Sequence, residues 1–123
     1  MKKINGSILK ARMDDKQLLV NQACFLENLE TTGKGANTLL GEAREFLGVD
    51  SEDSIVAHHA DKIKEFNKLS NAVVGFNRAL VSLKELNLLE ADELSTMENA
   101  HNKLLEKLCN IYDTNTDELL SEE

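Results

Sequence analysis

The chain has 123 residues, no proline, 4% aromatic side chains and a formal net charge of −8. A chain this long buries roughly two-thirds of its unfolded surface in one modest core. The lack of proline and the few aromatics argue against strand-rich folds, which use aromatic, β-branched and turn residues. The acidic balance argues against a general nucleic-acid binder, whose footprint is a basic face.

The first segment, Met1-Lys2-Lys3, has the charge of a secretory leader, but Asn5, Gly6, Ser7 and Lys10 interrupt any apolar stretch after it. No apolar run is long enough to span a bilayer. Cys24 and Cys109 are far apart, with no CxxC pair. These features predict a cytoplasmic protein with two reduced, buried thiols and no membrane association. The first amphipathic helix is predicted over residues 7–30, with Ile8, Ala11, Leu18, Leu19, Phe25, Leu26 and Leu29 on its inner side.

Residues 31–41 read TTGKGANTLLG. A Walker A loop needs GxxxxGK[ST] between a strand and a helix. Here Lys34 precedes the second glycine and the preceding pattern is helical, so Gly33 and Gly35 read as a hinge. A second helix follows over 36–47, with Ala36, Leu39, Leu40, Ala43, Phe46 and Leu47 on one face and Gly48 as its C-cap. The acidic loop at residues 50–53 then offers an N-cap and first-turn carboxylates to the next helix. It lacks the glycine that a calcium loop needs, having Ile55 in its place.

The third helix is predicted over 53–86 and is unusually long. Phe66, Leu69, Val73, Phe76, Leu80 and Leu83 form a heptad-like seam. Ala72, Gly75, Ala79 and Ser82 form a small-residue stripe beside it, and Val56, Ile63, Val74 and Val81 a third stripe. A helix apolar around most of its circumference needs cover on several sides. It is therefore expected to be the central helix of a bundle or to be shared with a second subunit. The small stripe is the expected close-contact face.

At the next corner, Asn87 suits the left-handed conformation that ends a helix, with Leu88 packing after it. Glu90, Asp92 and Glu93 complement the start of a fourth, outer helix. That helix carries Leu94, Met97, His101, Leu104, Leu108 and Ile111 on one face. Residues 114–123 are expected to fray as an acidic tail after one turn at Thr116.

The charge is uneven. Residues 1–84 carry 12 basic and 11 acidic side chains, whereas residues 85–123 carry 2 basic and 11 acidic. An acidic C-terminal surface is therefore expected, with Glu90, Glu93 and Glu106 meeting a basic patch on a protein partner.

Candidate ligand sets are few. His101 closes an ExxH with Glu98, but a di-iron bundle needs two such pairs and further glutamates. On an apolar helix face His101 reads as a hydrogen-bonded core residue. Neither His58 nor His59 has a role assigned by its surroundings. Glu42-x-x-Glu45 followed by His58-x-x-Asp61 resembles the outline of MazG-like nucleoside triphosphate pyrophosphohydrolases. Those are all-α oligomers that hold Mg²⁺ with an ExxE and a later ExxD. The resemblance implies a magnesium site of Glu42, Glu45 and Asp61. His58 stands where that outline carries a glutamate, and magnesium prefers oxygen.

The expected object is one all-α domain over residues 1–123, with four helices, the third long and central, that self-associates. Its expected function is binding rather than catalysis, without a cofactor. It would act as an adaptor, chaperone or inhibitor that grips a protein partner through Ala72, Gly75, Ala79 and Ser82 and through the acidic glutamates.

Overall fold

A computed structural model describes residues 1–121. It is an all-α bundle of four long helices and one short one: α1 (Gly6–Asn28), α2 (Lys34–Leu47), α3 (Ile55–Leu86), α4 (Ala91–Ile111) and α5 (Thr116–Leu119). No strand occurs among the described residues. No helix among them is long and apolar enough to cross a membrane. The chain forms two compact units, one of Met13–Asn67 and one of Met1–Arg12 with Lys68–Glu123, so the division falls within α1 and α3.

The unit Met13–Asn67 is built on Val20 and Ala23 of α1, Leu40, Ala43 and Leu47 of α2, and Ile55 at the start of α3. Phe46 and Phe66 pack at its edge with ring centroids 5.1 Å apart. The Lys16 ammonium sits 5.4 Å from the Phe46 centroid, a cation–π contact. Both glycine punctuations are conformational. Gly33 precedes α2 with φ 124°, and Gly48 closes it in the left-handed region with φ 69°.

The start of α3 differs from expectation. The helix begins at Ile55 and has no acidic residue in its first turn. Ser54 caps it, its Oγ accepting from the Ala57 amide. Glu27, at the far end of α1, adds a second cap. Its carboxylate accepts from the Ile55 amide at 2.9 Å, the Val56 amide at 3.1 Å and the Ser54 hydroxyl. A remote carboxylate thus takes the place expected for the acidic loop at residues 50–53.

The other unit has a core of Ile4, Leu9, Val73, Leu80, Val81, Leu105, Leu108, Cys109, Tyr112 and Leu119. Burial pushes up the Cys109 thiol and the Tyr112 phenol from their ordinary values. At its centre Asn77 of α3 is fully buried. Its Oδ1 accepts from the Ile4 amide at 2.9 Å, and its Nδ2 faces the Lys2 carbonyl and His101 Nε2, each at 3.1 Å. Because Nδ2 only donates, His101 Nε2 is the acceptor, and the ring proton belongs on Nδ1, which faces Asn102 Oδ1 at 3.1 Å. His101 is thus a satisfied core histidine.

Neighbouring Asn5 caps α1, its Oδ1 accepting from the Ser7 and Ile8 amides. Its own amide donates to the Leu119 carbonyl at 2.7 Å.

The C-terminal segment is therefore not frayed over residues 114–121. Asn115 caps α5, Leu119 is fully buried, and Glu118 pairs with Arg12 and Thr114. The remainder of the expected tail, Glu122 and Glu123, lies outside the described residues. The corner at Asn87 has the expected left-handed φ of 53°, but Leu88 does not pack and is 74% exposed.

Replacing Leu119 with alanine should cost about 3 kcal/mol, the range for emptying a fully buried leucine site. Urea unfolding measures it, and a frayed tail would give a change near zero.

Candidate functional site

On α1, Leu9, Val20 and Ala23 are buried, and Lys16 and Glu27 lie on the same side. The opposite line runs through Ala11, Leu18, Phe25 and Leu29. Its three large members are exposed, Leu18 by 57%, Phe25 by 63% and Leu29 by 59%. The expected inner face is thus split: Ile8, Leu19 and Leu26 are half-buried, the last two against the core, whereas Ala11, Leu18, Phe25 and Leu29 face outward. The cause is chemical: the true inner line is interrupted by Lys16 and Glu27, whose charges are used inside the unit.

Beside Phe25 lies an open groove of about 440 Å³, lined by Asn21, Gln22, Phe25 and Leu26 of α1 and Leu39 of α2. Its chemistry is an apolar floor with an amide rim. Exposed carboxylates lie along the same helices. Asp14 and Asp15 sit about one turn before Leu18, and Glu42 one turn after Leu39, all at exposed positions. The unit Met13–Asn67 carries 5 basic and 11 acidic side chains.

Glu27 holds this arrangement. Partial burial raises its pKa, but the hydrogen bonds from Ser54, Ile55 and Val56 and the Arg44 guanidinium, 3.5 Å away, outweigh that and hold it below the ordinary glutamate value.

The other expected site residues are placed differently. Ala72, Gly75, Ala79 and Ser82 line an exposed side of α3, and no atom lies within 4 Å of a Cβ built on Gly75. Among the described residues nothing covers this stripe. The heptad seam also splits: Val73 and Leu80 are buried, joined by Ser70 and Asn77, whereas Phe66, Leu69, Phe76 and Leu83 are only partly buried. On α4 the buried line is His101, Leu105, Leu108 and Cys109, and Leu104 is exposed. The buried line on α3 keeps the three- and four-residue steps but runs through Ser70, Val73, Asn77 and Leu80, and its two polar members hide it from an apolar pattern.

Glu90 and Glu93 cap each other at the start of α4 in a reciprocal capping box. Glu106 is exposed. Glu98 pairs with Lys84 at 2.9 Å. For Glu118, the hydrogen bonds from Thr114 and Arg12 lower the pKa.

Glu42, Glu45 and Asp61 are exposed, and no group of three acidic, histidine or cysteine side chains among the described residues is gathered to hold a metal. The magnesium site implied by the MazG-like resemblance is not assembled. His58 is exposed and His59 half-buried. Cys24 is only partly buried, against the expectation for both thiols; its pKa is raised by burial and then by the Glu27 charge.

These features define a small acidic all-α protein with an apolar groove on one unit. No protein-family model, curated protein or solved structure matches the chain.

The Glu27 cap has a pH signature. Its folded pKa lies below its unfolded one, so its stabilisation is complete above the unfolded value and is lost as pH falls through the folded one. Glu27→Gln should cost about 1–2 kcal/mol at neutral pH, the scale of a lost cap. The gap from the parent should narrow on acidification. Unfolding midpoints from neutral to acid pH check this, and a gap constant with pH would refute it.

Proposed function

We propose that this chain is a non-enzymatic interaction protein whose unit Met13–Asn67 holds a basic amphipathic helix of a protein partner in the groove beside Phe25. The reading rests on one observation: Leu18 and Phe25 of α1 and Leu29 just past its end are exposed in a single line, beside a groove rimmed by amides on a unit with excess carboxylates. Spacings of seven and four residues are those a helix presents to another helix.

Magnitudes show why the partner should be basic. Covering the exposed parts of three large apolar side chains yields roughly 3–5 kcal/mol. Association costs at least about 4 kcal/mol. Apolar contact alone roughly breaks even, so the excess carboxylates of the unit must contribute, both to attraction and to the rate of encounter. The same apolar grip with charge steering suits an adaptor or an inhibitor.

A designed peptide of about 18 residues, leucine on one face and lysine on the other, is a sufficient probe. It should bind with a dissociation constant on the order of 1 mM at low salt, weakening as salt is added. The double variant Phe25→Asp, Leu29→Asp should weaken binding at least about tenfold. It should keep its unfolding midpoint, because both side chains are mostly exposed. Equal binding of a scrambled, non-amphipathic peptide would refute the groove. A dimeric mass that the double variant converts to monomer would show that a second copy occupies the face instead.

A further inference from the structure

The unit of Met1–Arg12 and Lys68–Glu123 contains a half-open cavity of about 470 Å³, independent of the groove beside Phe25. Lys2, Lys3, Arg78 and Glu85 line it together with Val81 and Leu120. Val81 is buried and Leu120 half-buried, which makes an apolar floor. The volume falls within the range of small-molecule sites, roughly 300–1,000 Å³.

Among the described lining residues the charge is unbalanced. Elsewhere in this unit Arg12 pairs with Glu118 and Lys84 with Glu98. Among the described residues no ion pair engages Lys2, Lys3 or Arg78, and Glu85 is the only carboxylate in the lining. Like charges held around one concavity repel, and a bound anion relieves that repulsion.

The placement is built rather than incidental. The Lys2 carbonyl and the Ile4 amide are both held by Asn77 on α3, one residue from Arg78. The Asn5 amide is held by the Leu119 carbonyl, next to Leu120. The backbone around the cavity is thus fixed by buried hydrogen bonds, while the cationic side chains stay exposed.

We propose that this cavity binds a small oxyanion carried on an apolar body, a phosphate monoester or a carboxylate. Arg78 supplies a planar fork that pairs with two oxygens at once. Lys2 and Lys3 add unpaired positive charge, and Val81 and Leu120 receive the apolar part. Glu85 opposes binding and so sets an upper limit on affinity for multiply charged anions.

The test uses the full chain, with hexyl phosphate, hexanoate and inorganic phosphate as probes, followed by backbone amide chemical shifts. At least one alkyl anion should shift the amides of Arg78, Val81 and Leu120 saturably, with a dissociation constant on the order of 1 mM or tighter. The tighter of the two identifies the head group. Arg78→Gln should weaken binding about tenfold, and Glu85→Gln should tighten it about threefold. If Arg78→Gln alters the fold, Lys3→Gln replaces it and should weaken binding severalfold. The proposal is overturned if neither alkyl anion shifts these amides, or if inorganic phosphate binds as tightly as hexyl phosphate. It is also overturned if Glu85→Gln leaves the affinity unchanged.

Discussion

The carboxylate of Glu27 decides which way α1 faces. It must reach the Ser54 hydroxyl and the free amides of Ile55 and Val56, because a helix start leaves its first N–H groups without internal partners. A residue that points inward at position 27 brings Ala23 and Val20 inward one and two turns earlier, and Leu18, Phe25 and Leu29 are then left outside. The exposed apolar line and the Glu27 cap are two consequences of one helix rotation. Turning α1 to hide Phe25 would leave a helix start uncapped and carry Val20 and Ala23, both fully buried, out of the core.

This explains what the sequence showed and what it hid. The helices themselves were legible, because Gly33, Gly48 and Asn87 mark their ends with backbone conformations that favour those residues. The rotation of α1 was not, since an apolar-stripe reading cannot see an inner line occupied by Lys16 and Glu27. The docking of residues 114–121 was hidden for a related reason. It depends on Asn5 and Arg12, more than a hundred positions away in the chain, and local periodicity carries no information about such pairings. The candidate groove could have been suspected from the seven- and four-residue spacing of Leu18, Phe25 and Leu29, but only after the charged inner line had been recognised.

Charge was redistributed in the same way. Along the sequence the acidic excess belongs to the C-terminal third. In the fold that third shares a compact unit with Lys2, Lys3, Lys10 and Arg12. Several of its carboxylates are then committed: Glu90 and Glu93 to a capping box, Glu98 to Lys84 and Glu118 to Arg12. The unit Met13–Asn67, near neutral in the linear reading, carries the larger excess, −6 from its 5 basic and 11 acidic side chains.

Recognition is then best sought where charge and apolar surface have no internal use. Exposed ion pairs contribute little, about 0–1 kcal/mol each, so committed carboxylates such as Glu98 are poor anchors for a partner: binding there must first break a pair. Asp15, Glu42 and Glu45 carry no such commitment among the described residues, and they belong to the unit that carries the apolar groove. Lys2, Lys3 and Arg78 have the opposite sign and surround a cavity with an apolar floor. The two places differ in what they can select. The groove is open and apolar, on a unit with excess carboxylates, which suits a helix with a basic face. The cavity is compact and positive, which suits a single anionic head group. Small-residue exposure at Gly75 offers neither charge nor depth, and so supplies packing space without selectivity.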